Sequence, residues 1–142
     1  MSLSESLNVE IETLRRLRRH RADRVERELS AAKRHQRALL AQIEQAQKVL
    51  EQTRAEEARR TEQLLKQHQG TVMTFNDLKA WGAQERSLSA STQREAGQLQ
   101  SLQGQRDQQA SHICVVQKRV TQCLREVEKL QELVKLLAQE DM

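Results

Sequence analysis

The sequence predicts an all-α fold, a long antiparallel two-helix coiled-coil hairpin, with one helix at about residues 4–68, a turn at about 69–73 and a second helix at about 74–139. Three observations carry that reading. An unbroken 3-4 spacing runs from Leu78 to Leu137, a similar ladder fills the first half, and a single convincing break separates the two. A stripe recurring every 3.5 residues keeps facing one partner only if the helices supercoil, so a ladder of this length is a coiled-coil seam.

In the first helix the ladder is Ala22, Val25, Leu29, Ala32, Gln36, Leu39, Ile43, Ala46 and Leu50, with Leu64 in register further on. Upstream, Leu3, Leu7, Ile11, Leu14 and Leu17 continue the stripe after a small phase slip near Arg18, which reads as a stutter. The break is His68-Gln-Gly-Thr-Val-Met-Thr74-Phe-Asn-Asp77. Gly70 suits the left-handed residue that follows a helix, and Thr74 with Asp77 three residues later makes a capping-box-like start for the next one. The second seam ends on eight apolar residues: Ile113, Val116, Val120, Cys123, Val127, Leu130, Val134 and Leu137. Nearer the turn it carries polar Glu85, Thr92, Glu95, Arg106 and Gln109, with Gly97 and Gly104 beside them, and each glycine weakens a helix by about 1 kcal/mol relative to alanine. This stretch is expected to be compliant. Folding the halves together places Leu64 beside Leu78 and Ile43 beside Leu99, and pairs Leu7, Ile11 and Leu14 with Val127, Leu130 and Val134, where the seams compensate best.

Composition agrees. The chain has no proline, one Phe and one Trp, with 31% charged and 37% hydrophobic residues, the balance of solvent-exposed long helices. Each helix would be roughly 95 Å long at 1.5 Å per residue, and the monomer would be self-sufficient. No apolar run is long enough for a membrane span and no signal-peptide pattern opens the chain, which predicts a cytoplasmic protein without membrane insertion. Cys114 and Cys123 lie too far apart along one helix for a disulfide, and His112 and Cys114 point to different faces, so no metal or cofactor is expected.

Charge is uneven. Residues 1–70 hold 15 Lys or Arg against 11 Asp or Glu, whereas residues 71–142 hold 9 against 9. Arg15, Arg16, Arg18, Arg19, Arg21, Arg24 and Arg27 crowd together, followed by Lys33, Arg34 and Arg37. Such a cluster is a solvated face, a nucleic-acid stripe or a docking surface for an acidic protein. No aromatic side chain interleaves to stack on bases, and Asp23, Glu26 and Glu28 interrupt the cluster, which favours the protein partner over nucleic acid. Catalysis has no foothold, since Glu56 with Glu57 and Glu126 with Glu128 are adjacent acids on exposed helix, and no phosphate loop, zinc motif or nucleophile elbow is present.

Three segments carry a family resemblance. Asp77-Leu78-Lys79-Ala80-Trp81, the run from Arg16-Leu17-Arg18 to Arg24-Val25-Glu26-Arg27, and Gln117-Lys118 through Lys129-Leu130-Gln131-Glu132-Leu133 together resemble the YscO proteins of bacterial type III secretion systems, relatives of the flagellar export protein FliJ. The resemblance implies a central stalk: a coiled-coil hairpin that links the export ATPase hexamer to the cytoplasmic domain of the export gate, stimulates the ATPase and, in some members, handles secretion chaperones. It places the protein in the bacterial cytoplasm, peripheral to the apparatus at the inner membrane. The family's gate contact, which includes a second-helix aromatic, corresponds to Trp81 with Phe75, Leu78 and Leu88. This chain has fewer aromatics there than the flagellar relative. By the same rotor-shaft resemblance the arginine-rich end would take the ATPase contact, through Arg15, Arg16, Arg19 and Arg24.

Trp81 sits at a seam position and suits either a seam cap or an interface anchor, because an indole is large for a two-stranded seam. Phe75 is expected to plug the start of the second helix. The alternative function is a structural or nucleic-acid-associated basic coiled coil with no role in secretion.

Overall fold

Thr74 and Asp77 open the second helix with a reciprocal pair of hydrogen bonds in the computed structural model, which describes residues 3–140. The Asp77 amide donates to Thr74 Oγ1 at 3.1 Å, and the Thr74 amide donates to Asp77 Oδ2 at 3.3 Å. Each bond satisfies an N–H that has no partner inside the helix. The preceding helix ends where Gly70 takes a φ of 75°, a conformation that a Cβ would strain. The amide and hydroxyl of Thr71 then both donate to the His68 carbonyl, at 3.3 and 2.9 Å. These signals bound two helices of 66 residues each, α1 at Leu3–His68 and α2 at Phe75–Glu140. They pack against each other as an antiparallel two-helix coiled-coil hairpin, and no helix among the described residues is long and apolar enough to cross a membrane.

Contacts within the pair group into two units, residues 1–36 with 108–142, and residues 37–107. In the first unit, Arg18 faces Glu126, Glu28 faces Arg119 and Ala32 faces Gln109, so the partner number falls as the chain rises. Its core is Ala22, Val25, Val116 and Cys123, with Leu29, Val120 and Val127 packed against it. Val25 and Val116 are almost completely buried, at 1% and 0% exposure. Removing a valine side chain from water is worth roughly 1.5–3 kcal/mol, so this small cluster holds the unit together out of proportion to its size. Ala22 and Cys123 add little area but let the helices approach closely.

The stutter is absent. The seam of α1 runs back from Ala22 through Arg18 to Ile11 in unbroken heptad spacing, and Leu17 lies 61% exposed outside it. Leu7 and Leu14 are also exposed, so the apolar match lies inward, at Ala22–Ala32 with Ile113–Leu130, and not at the outermost leucines. Placing Leu14 and Leu17 in the seam would have required a local change of phase; Arg18 removes that need, because its aliphatic stem packs while its guanidinium reaches out. The side chain of Leu3, also assigned to the stripe, lies outside the described residues.

In the second unit Leu39, Ile43 and Leu50 of α1 are buried, whereas the facing part of α2 offers only half-buried Leu88, Thr92, Leu99 and Leu102. Polar seam positions are satisfied by one another: the Thr92 hydroxyl donates to the Glu57 carboxylate. The register differs from the expected one. Leu64 shares a groove with Gln84, Ser87 and Leu88 and does not lie beside Leu78, which is exposed. A slide along the seam preserves the apolar period, so the turn and the polar pairs decide it.

Candidate functional site

Two surfaces stand out, one in each unit. In the first unit, Arg15, Arg16, Arg18 and Arg19 of α1 line a shallow groove whose floor is Val127 and Leu130 of α2. Their placement follows from the heptad: Arg15 and Arg18 take seam positions near the end of the apolar core, and Arg16 and Arg19 follow on the adjoining flank. Arg18 donates to the main-chain carbonyl of Glu126 at 2.7 Å, so it is held in place. Arg15 and Arg16 share the single carboxylate of Glu12 at 3.6 and 4.0 Å, which neutralises one charge of the two. Arg19, Arg24 and Arg27 make no ion pair among the described residues. Positive charge therefore exceeds negative in the groove, although Glu12 and Asp23 both line it.

Of the four arginines assigned to one contact, the fold brings Arg15, Arg16 and Arg19 together. Arg24 does not line the groove; its heptad position puts it on the other flank. The contact expected from sequence does not include Arg18, His20 and Leu130, which also line the groove. Extending the Ala22–Val25 ladder backwards in strict register would have found Arg18.

The second surface surrounds the turn. Val72 is 99% exposed, Phe75 71% and Leu78 57%. Phe75 is thus not a plug at the helix start; Lys79 Nζ sits over its ring, 4.6 Å from the centroid, and the rest faces solvent. Trp81 is half-buried. Its indole stacks on His68, the last residue of α1, with centroids 5.2 Å apart and planes inclined by 23°, and its Nε1 donates to Glu85 Oε1 at 2.8 Å. Trp81 is therefore both a seam cap and a partly exposed ring. Leu88 lies deeper, half-buried beside Leu64. Neither His68 nor Glu85 was singled out from sequence as a partner of Trp81, since the stack depends on register.

Among the described residues no group of three His, Cys, Asp or Glu side chains is placed to hold a metal ion, and Cys114 and Cys123 are free thiols. No protein-family model matches the chain, and neither a curated protein nor a solved structure shows significant similarity to it.

Proposed function

We propose that this protein is an interaction protein of a bacterial type III secretion apparatus, a stalk or adaptor that links and stimulates the export ATPase and contacts the export gate. Secretion chaperones are further partners in this reading, and its place is the cytoplasm beside the inner-membrane apparatus. The segment resemblance to YscO proteins suggests it. The observation that carries it is the partly unneutralised arginine groove of Arg15, Arg16 and Arg19, a surface suited to an acidic partner. Charge-guided docking of this kind raises association rates and weakens as salt screens it over about 10 Å at 0.1 M.

A second, chemically different surface supports a second partner. Val72, Phe75 and Leu78 are exposed apolar groups around the turn, and grouped apolar exposure on a charged protein marks a binding site.

The test uses the cognate export ATPase and the gate's cytoplasmic domain. Arg15, Arg16 and Arg19 changed to Glu abolish ATPase stimulation while helicity by circular dichroism is kept. Phe75→Ala with Leu78→Ala weakens gate binding by about tenfold or more, the equivalent of 1.4 kcal/mol, without lowering stimulation. Trp81→Ala weakens gate binding further and also lowers thermal stability, because its ring is shared with the seam. Stimulation that survives the arginine changes and high salt overturns the groove's role. Binding of duplex DNA by the groove, with no effect on the ATPase, would instead favour the basic coiled-coil alternative.

A further inference from the structure

Arg21 pairs with Glu126 at 3.5 Å and Arg119 with Glu28 at 3.2 Å, and these two bridges across the helix pair mark one flank of the seam in the first unit. The arginine groove occupies the opposite flank. One heptad outward from Arg21 is Leu14, and one heptad outward from Glu126 is Leu133, so the next step along the bridged flank replaces an ion pair with two leucines. Leu17 and Leu136 continue it. All four are exposed: Leu14 by 40%, Leu17 by 61%, Leu133 by 47% and Leu136 by 58%. This is where the leucines excluded from the α1 seam have gone.

The charges around these leucines have a symmetry. In α1 the flank reads Glu10, Leu14, Leu17, Arg21, and in α2 it reads Lys129, Leu133, Leu136, Glu140, each at the same 4-3-4 spacing. Each helix thus presents a leucine pair with one acid and one base at equal distances on either side. A twofold axis perpendicular to the helices, at the level that Leu14 and Leu133 share, inverts that order. It would set Leu14 against Leu14 and Leu133 against Leu133 of the second copy, with Glu10 about three residues along from that copy's Arg21 and Lys129 about as far from its Glu140, offsets that long side chains span.

We propose that this flank is a self-association surface, closed by a second copy of the same chain in an antiparallel, isologous contact. A patch that is complementary to itself under a twofold operation forms a closed dimer, and flanking charges set the choice and orientation of the partner helix. The Arg21–Glu126 bridge does not oppose this, since an exposed ion pair is weak and Arg21 is free to turn towards a second acid. An anionic bilayer fits less well, because Glu10 and Glu140 at the rim offset the attraction of Arg21 and Lys129. The inference is independent of the secretion reading, for it uses the other flank.

Sedimentation equilibrium of the full chain across the micromolar range tests it. Wild-type protein is expected to show a monomer–dimer equilibrium. Leu14→Ser with Leu136→Ser weakens association by about tenfold or more, with circular dichroism and the thermal midpoint of the monomer unchanged because both side chains lie outside the seam. Lys129→Glu also weakens it, and adding Glu140→Lys restores it, which a merely sticky surface would not do. A chain that remains monomeric throughout overturns the proposal, as does a dimer indifferent to the leucine substitutions. Loss on Lys129→Glu without recovery in the double variant overturns the twofold pairing.

Discussion

The Arg18 guanidinium occupies a seam position of α1 and donates a 2.7 Å hydrogen bond to the main-chain carbonyl of Glu126 in α2. A charged residue at such a position specifies register and alignment at a cost in stability. The accepting carbonyl lies in the interior of a helix, so removing the donor does not strand it.

Arg18→Leu is therefore expected to stabilise the hairpin by about 1 kcal/mol, because a half-buried aliphatic side chain replaces one whose charge must stay partly solvated. Arg18→Ala loses the packed stem and destabilises. Thermal unfolding followed by circular dichroism separates the two; a lower midpoint for both variants would show that the hydrogen bond outweighs burial.

Two aliphatic positions test where the seam runs. Val116→Ala, at a fully buried site, should cost about 2 kcal/mol from lost burial and the small cavity left behind. Leu17→Ala should change stability by no more than about 0.5 kcal/mol, since its side chain is 61% exposed. Urea denaturation of both variants decides it, and equal losses would return Leu17 to the seam.

At the turn, Thr74→Ala removes the acceptor for the Asp77 amide and should cost about 1 kcal/mol. Gly70→Ala should cost about 1–2 kcal/mol through backbone strain alone, because φ is 75° there and no atom lies within 4 Å of the added methyl. Gly70→Asn, which tolerates the left-handed region, should recover part of the loss in the same denaturation assay.

The Glu56 carboxylate accepts two hydrogen bonds from Arg59, at 2.7 and 3.1 Å, and a third from Arg60 at 3.1 Å. Arg59 first and Arg60 second hold its pKa down to about 2, from an ordinary value of 4.5. A carboxylate with a depressed folded pKa contributes stability above its unfolded value, and that contribution is lost as pH falls from about 4.5 through about 2. Carboxyl NMR titration should place Glu56 well below the other acids, and Arg59→Gln with Arg60→Gln should return it towards 4.5. Salt should raise it too, because the cluster is exposed; a midpoint insensitive to both changes would dissociate the shift from the two arginines.

The all-α hairpin was determined by sequence because each signal for it is local. The unbroken ladder to Leu137 marks a partner-facing stripe, Gly70 can turn left-handed without strain, and Thr74 and Asp77 cap one another within a single turn. The arginine cluster was equally legible as composition. What tertiary structure alone decided is which helical phase faces the partner and where along the seam the helices meet. Near Arg18 two phases compete: the leucine phase of Leu14 and Leu17 is the more apolar, yet the phase of Arg15 and Arg18 continues the core at Ala22 and Val25 without distorting the helix. Propagating the register of a packed core outweighs burying two more leucines, so the arginines become a groove with Val127 and Leu130 while the leucines are left on the outer flank. The pairing of Glu57 with Thr92, and of His68 with Trp81, was hidden for a related reason. Sliding one helix by whole turns of the repeat preserves every apolar period, and only the turn's conformation and the meeting of particular polar and aromatic side chains choose among the alternatives.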